Sequence, residues 1–158
     1  MKRITKTFAA AMAALTALVS CNTQAEPAAV TEDATPGFVL SDEMTEVKIG
    51  EDGSLLSLVN KKTGHNYASG EGLWRLFYNT HDEKEMQIDG TENSPSVSLE
   101  GDVITIAYKD LAHRGKQLKM DLTLTVKIED GAVRFGSDVS NNEPGTIIRE
   151  LQYPLVGN

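Results

Sequence analysis

From residue 37 onward the chain is written in short runs that alternate apolar with polar side chains and are broken by Gly, Asn, Asp or Pro. The longest run is Lys116–Glu129. There Leu118, Met120, Leu122, Leu124, Val126 and Ile128 are apolar, while Lys119, Asp121, Thr123, Thr125 and Lys127 between them are polar. A period of two places these sets on opposite faces of an extended segment, so this run predicts a long strand with one buried side and one wet side. Asp102–Lys109 repeats the pattern, with Ile104, Ile106 and Tyr108 as its buried face. After an Asp130-Gly131 turn, Ala132–Ser140 places Val133, Phe135, Ser137 and Val139 on one side.

Shorter strands are predicted at Gly37–Leu40, Met44–Ile49, Ser54–Asn60, Gly72–Asn79, Lys84–Asp89, Pro95–Glu100 and Thr146–Tyr153. In Ser54–Asn60, Leu56 and Leu58 are expected on one face and Leu55 and Val59 on the other. Gly53 and Gly64 stand where tight turns ask for a positive φ. Asn141 to Gly145 reads as a loop. Apolar residues at a 3.6-residue period persist nowhere beyond about two turns of helix. The fold class expected is therefore all-β, an antiparallel β-sandwich at residues 37–158. Whether that length closes a complete sandwich is left open, and an incomplete one needs a partner domain or subunit over its sheet edges.

The first twenty residues follow a different grammar. Lys2, Arg3 and Lys6 precede an acid-free apolar run, Phe8 to Val19, that is too short to span a bilayer. Leu18-Val19-Ser20-Cys21 resembles the lipobox of bacterial lipoproteins, in which the cysteine is acylated and becomes the new N-terminus. Residues 1–20 are thus expected to be a lipoprotein signal peptide and Cys21 the lipidation site. Residues 21–36 form a tether rich in Ala, Thr, Pro and acids, which cannot bury enough apolar surface to fold. Cys21 is the sole cysteine in the sequence, so the core has to hold the fold without a disulfide. The expected location is the bacterial envelope, lipid-anchored, at the outer membrane.

Charge narrows the partners. Loss of the leader leaves 12 of the 15 basic residues against 23 acidic ones, a net charge of −11. Such a surface repels nucleic acid and anionic headgroups, so attachment to the membrane is expected to come from the acyl chains.

Candidate chemistry is sparse. Sugar binding needs an aromatic ring against which the C–H face of a pyranose can pack. On a strand, Trp74 and Tyr78 share a face, with Leu73 and Phe77 on the other, and either set can be the core one. Arg75, opposite Trp74, is placed to bond hydroxyls. His65, His81 and His113 stand in turn or loop contexts, of which His65 is carried as a binding candidate. The acids Asp82, Glu83, Glu85 and Asp89 cluster, but a solvated acidic loop accounts for them. The Asp89-Gly90-Thr91-Glu92-Asn93 run lacks the spacing of a calcium loop and reads as a turn. No two histidines share ligand spacing, and no phosphate loop or G-x-S-x-G elbow is present. No metal, cofactor or catalytic residue is expected.

Three stretches carry a family resemblance. The segment from Asp52 to Tyr67 matches the pattern D-G-x-L-x-S-L-x-x-K-x-T-G-x-x-Y, Leu73-Trp74-Arg75-Leu76 follows it, and Ile148-Arg149-Glu150-Leu151-Gln152-Tyr153-Pro154 ends it. Together they resemble the β-sandwich domains, of the broad galactose-mutarotase-like group, that precede the catalytic barrel of secreted bacterial glycoside hydrolases. The resemblance spans about two thirds of the chain. It implies a carbohydrate-associated module with no catalysis of its own, since the catalytic carboxylates of those proteins lie beyond the matching region. Two alternatives stand beside it: the N-terminal part of a glycoside hydrolase, and a structural envelope lipoprotein without a ligand.

Overall fold

The structure, a computed structural model, describes residues 37–70 and 72–157. The predicted leader and tether, residues 1–36 with Cys21, lie outside the described residues.

Among the described residues the strands in chain order are β1 (Gly37–Ser41), β2 (Thr45–Gly50), β3 (Leu55–Asn60), β4 (His65–Asn66), β5 (Arg75–Asn79), β6 (Met86–Asp89), β7 (Ser96–Glu100), β8 (Val103–Tyr108), β9 (Ala112–His113), β10 (Lys116–Gln117), β11 (Met120–Glu129), β12 (Ala132–Asn141) and β13 (Ile147–Gln152). One helical turn is described, a 3₁₀ turn at Gly90–Glu92, where the sequence predicts a turn. The expected all-β class holds, with every pairing antiparallel.

One layer is the sheet β12-β11-β8-β7. The other is made of two sheets, β1-β2-β3-β4 and β13-β5-β6. The segment after β13 ties these two together. The Leu155 N–H donates to the Leu73 carbonyl, the Gly157 N–H to the Tyr67 carbonyl and the Tyr67 N–H to the Leu58 carbonyl, each at 2.8 Å. A small hairpin, β9 with β10, interrupts the approach to β11, so the predicted run from Lys116 is split into the short β10 and a long strand that begins at Met120.

The core lies between the layers. Ile104, Ile106, Tyr108, Leu122, Leu124 and Val126 from one side meet Val47, Ile49, Leu55, Leu76, Tyr78 and Ile88 from the other, all under 5% exposed. Each such side chain contributes about 1.5–3 kcal/mol through burial, and this core carries the stability without a disulfide. Gly53, at φ +79°, turns the chain toward the core, where a Cβ would stand 2.6 Å from the Tyr108 hydroxyl.

One predicted face is corrected. Leu56 and Leu58 do not share a side. The β2–β3 register shifts between Lys48 and Ile49, so Ile49 pairs with Leu55 while Val47 pairs with Leu58. The extra residue at Leu56 turns both Leu55 and Leu58 toward the core.

Candidate functional site on the outer face of β5

β5 decides which aromatic rings meet solvent. Leu76 and Tyr78 point inward at 0% and 3% exposure, while Arg75, Phe77 and Asn79 are half-buried on the outer face. Trp74, just before the strand, is also inward, at 0%. The expectation of a Trp74–Tyr78 sugar platform is therefore corrected. The face holding Trp74, Leu76 and Tyr78 is the more apolar of the two and takes the core. Trp74 packs edge-on against Tyr108 with ring centroids 5.1 Å apart. Gly90 lies so close to the indole that a Cβ there would stand 2.8 Å from its nitrogen.

Outside, β5 is the central strand of its sheet, and register fixes its neighbours. Phe77 stands opposite Gln87 of β6 on one side and Glu150 of β13 on the other. Arg75 likewise stands between Asp89 and Gln152. The Arg75 Nε donates to Asp89 Oδ1 at 2.7 Å, and the Gln87 amide donates to Asp89 Oδ2 at 2.8 Å. Burial pushes the Asp89 carboxyl up, but these two hydrogen bonds and the guanidinium charge outweigh it and hold the group below its ordinary value. The Gln152 amide donates to Glu150 Oε1 at 2.9 Å.

β13 is bulged at Arg149, between Ile148 and Glu150. The bulge puts Arg149 and Glu150 together on an open hollow of about 700 Å³ that Phe77, Asn79, Lys84, Glu85, Gln87, Arg149 and Glu150 line. Glu85 reaches it from a left-handed turn position, φ +56°, held by its N–H donating to Asn79 Oδ1 at 2.8 Å. A half-buried ring surrounded by amides, carboxylates and cations can pack on one face of a sugar while bonding hydroxyls around its rim.

Of the sequence candidates, Arg75 lies on this face one row from Phe77. His65 does not line the hollow. It is exposed on β4, in the sheet β1-β2-β3-β4, with its ring edge-on to Tyr67 at 4.4 Å. The sequence reading left open whether the Phe77 side was the outer one and did not single out Gln87, Arg149 or Glu150. The Glu150-x-Gln152 spacing was the available signal for β13, but a bulge cannot be read from alternation.

Tyr78 has a second setting. Its ring meets His113 edge-on at 5.7 Å, and it borders a hollow of about 310 Å³ with His81, Glu83, Arg114 and Glu143. Burial pushes the Tyr78 hydroxyl up, with Arg114 opposing and Glu83 and Glu143 adding to the shift. Across the mouth, Arg114 Nη1 pairs with Glu83 at 3.2 Å. His113 is 8% exposed, and neither of its buried ring nitrogens has a hydrogen-bond partner. Among the described residues no group of three or more His, Cys, Asp or Glu is gathered as metal ligands would be.

No family model matches this chain, and no curated protein and no solved structure matches it.

Proposed function

We propose that this protein is a lipid-anchored, carbohydrate-binding β-sandwich module of the bacterial envelope, without catalysis of its own, and that the outer face of β5 is where it meets glycan. The observation that carries this reading is the single aromatic ring of Phe77 at the middle of a polar sheet face, between Gln87 and Glu150 and beside the linked Arg75–Asp89–Gln87 group. Aromatic contact provides affinity for the C–H face of a pyranose, and the pre-bonded side chains around it provide direction. The lipobox-like Leu18-Val19-Ser20-Cys21 supports anchoring through Cys21, and an outer-membrane position follows from that reading. The resemblance to the sandwich domains of glycoside hydrolases points to the same ligand class.

A glycan array probed with the protein tests the proposal. Saturable binding to one class of glycan is expected, lost in Phe77→Ala while the circular dichroism spectrum is unchanged. Binding that persists in Phe77→Ala removes this face as the site. Absence of binding across the array removes the carbohydrate reading.

A further inference from the structure

Sheet edges expose unpaired N–H and C=O groups, and folded proteins blunt them with short strands, bulges, Pro or Lys. Among the described residues, five of the six terminal strands of the three larger sheets are short or interrupted: β1 with 5 residues, β4 with 2, β6 with 4, β7 with 5, and β13 with 6 and a bulge. The sixth is different. β12 runs for 10 residues, AVRFGSDVSN, in unbroken register with β11, and contains neither Pro nor Lys. We propose that β12 is a self-pairing edge, through which two copies of this chain join antiparallel across Val133–Val139 about a twofold axis at Gly136.

The backbone defines which registers are available. The β11–β12 hairpin closes through Asp130 and Gly131, both at positive φ (+53° and +74°), a two-residue turn of the kind that closes on a hydrogen-bonded pair, here Glu129 with Ala132. At the far end the Asn142 N–H donates to the Lys119 carbonyl at 2.8 Å, in phase with that pair. The even-numbered residues of β12 therefore direct their backbone groups at β11. Val133, Phe135, Ser137 and Val139 direct theirs outward, where no strand among the described residues pairs with them. A second β12 has to match odd residues to odd residues.

Side chains select one register among these. With Gly136 facing its own symmetry mate, Phe135 pairs with Ser137 of the second copy and Val133 with Val139 of the second copy. Arg134 then stands opposite Asp138 of the second copy, twice by symmetry. Shifts of two residues place these charges opposite neutral residues. Shifts of four place Arg134 against Arg134 or Asp138 against Asp138, which repel. The favoured register pairs β-branched residues on the core side, opposite charges on the outer side, and glycine where two backbones approach most closely. Asp138 makes no ion pair or hydrogen bond within the described residues and is exposed, which leaves it available for this contact. The arrangement is isologous, as closed twofold dimers require. It joins two four-stranded layers into one sheet and leaves the outer face of β5, on the opposite layer, uncovered. Its failure and that of the glycan reading are therefore separable.

The test uses the full chain carrying Cys21→Ser, solubilised in detergent, so that acyl chains do not bring copies together. Arg134 and Asp138 of the second copy form a non-hydrogen-bonded pair, with Cα atoms about 4.5 Å apart, a separation that a disulfide can span. Arg134→Cys and Asp138→Cys chains mixed under mild oxidation are expected to crosslink at least about tenfold more than either alone. By sedimentation velocity, Arg134→Asp or Asp138→Arg is expected to dissociate the dimer, and the double reversal to restore it. A monomer at all concentrations overturns the proposal. So does a dimer indifferent to charge reversal, equal crosslinking within a single variant, or occupation of the edge by another segment.

Discussion

The two faces of β5 are built from the same alternating stretch, yet they hold opposite chemistry. Inward, Trp74, Leu76 and Tyr78 are 0–3% exposed and surrounded by apolar neighbours from both layers. Outward, Arg75, Phe77 and Asn79 are half-buried and edged by Gln87, Asp89, Glu150 and Gln152. Both faces contain aromatic rings, so ring content alone does not tell a core from a ligand site. The company of the ring does. An aromatic among leucines is part of the packing, and an aromatic among bonded amides and carboxylates offers its face to something that is both apolar and polar.

Truncating the inner ring separates the faces most sharply. Trp74→Ala is expected to cost about 3–5 kcal/mol of unfolding free energy by leaving a cavity against Tyr108 and Gly90, measured by urea denaturation. A loss under about 1 kcal/mol would show that the indole is not the core residue described.

Phe77→Ala probes the outer face. Glycan binding is expected to weaken at least about tenfold, close to 1.4 kcal/mol, with stability changed by less than that. If the variant instead loses about 3 kcal/mol or more of stability while its folded form binds glycan as before, the two faces have been assigned the wrong way round.

The third expectation concerns the inner face again. His113 holds two buried, unpartnered ring nitrogens against Tyr78. His113→Phe keeps a planar ring there and removes the desolvated polar atoms. An increase in stability of about 1 kcal/mol is expected from thermal unfolding. A decrease would mean that the imidazole is satisfied in solution.

The smallest effect is electrostatic. Asp89 titrates below its ordinary value of 3.8 in the folded chain. Its contribution is therefore present above that value and is lost as pH falls through the lower folded value. The Arg75–Asp89 pair is about one-third exposed, so less than about 1 kcal/mol is expected to disappear on acidification. Asp89→Asn should remove this part of the pH dependence, read as a flatter plot of unfolding temperature against pH below 4.

Much of this architecture was legible along the chain, because a half-buried antiparallel strand writes its two faces directly into alternate positions. Leu122, Leu124 and Val126 could be assigned to the core from alternation alone, and so could Ile104, Ile106 and Tyr108. The hairpin at Asp130-Gly131 was visible through the one residue type that accepts a left-handed backbone without cost. Alternation failed where a single extra residue entered a strand. At Leu56 it reversed the expected pairing of leucines, and at Arg149 it brought two charged residues to the same hollow. It also gave no answer for β5, where both faces are partly apolar and the local pattern is satisfied either way up.

What the amino-acid order determined by itself was the period of the strands, their turns and the identity of the long buried faces, since these are local consequences of side-chain direction and backbone preference. Which layer each strand joined, which way β5 faced, and the meeting of Phe77 with Gln87 and Glu150 were decided by tertiary structure. The reason is that burial is a property of neighbours. A face becomes interior only when another sheet covers it, and β6 and β13 reach the two sides of β5 from well separated parts of the chain.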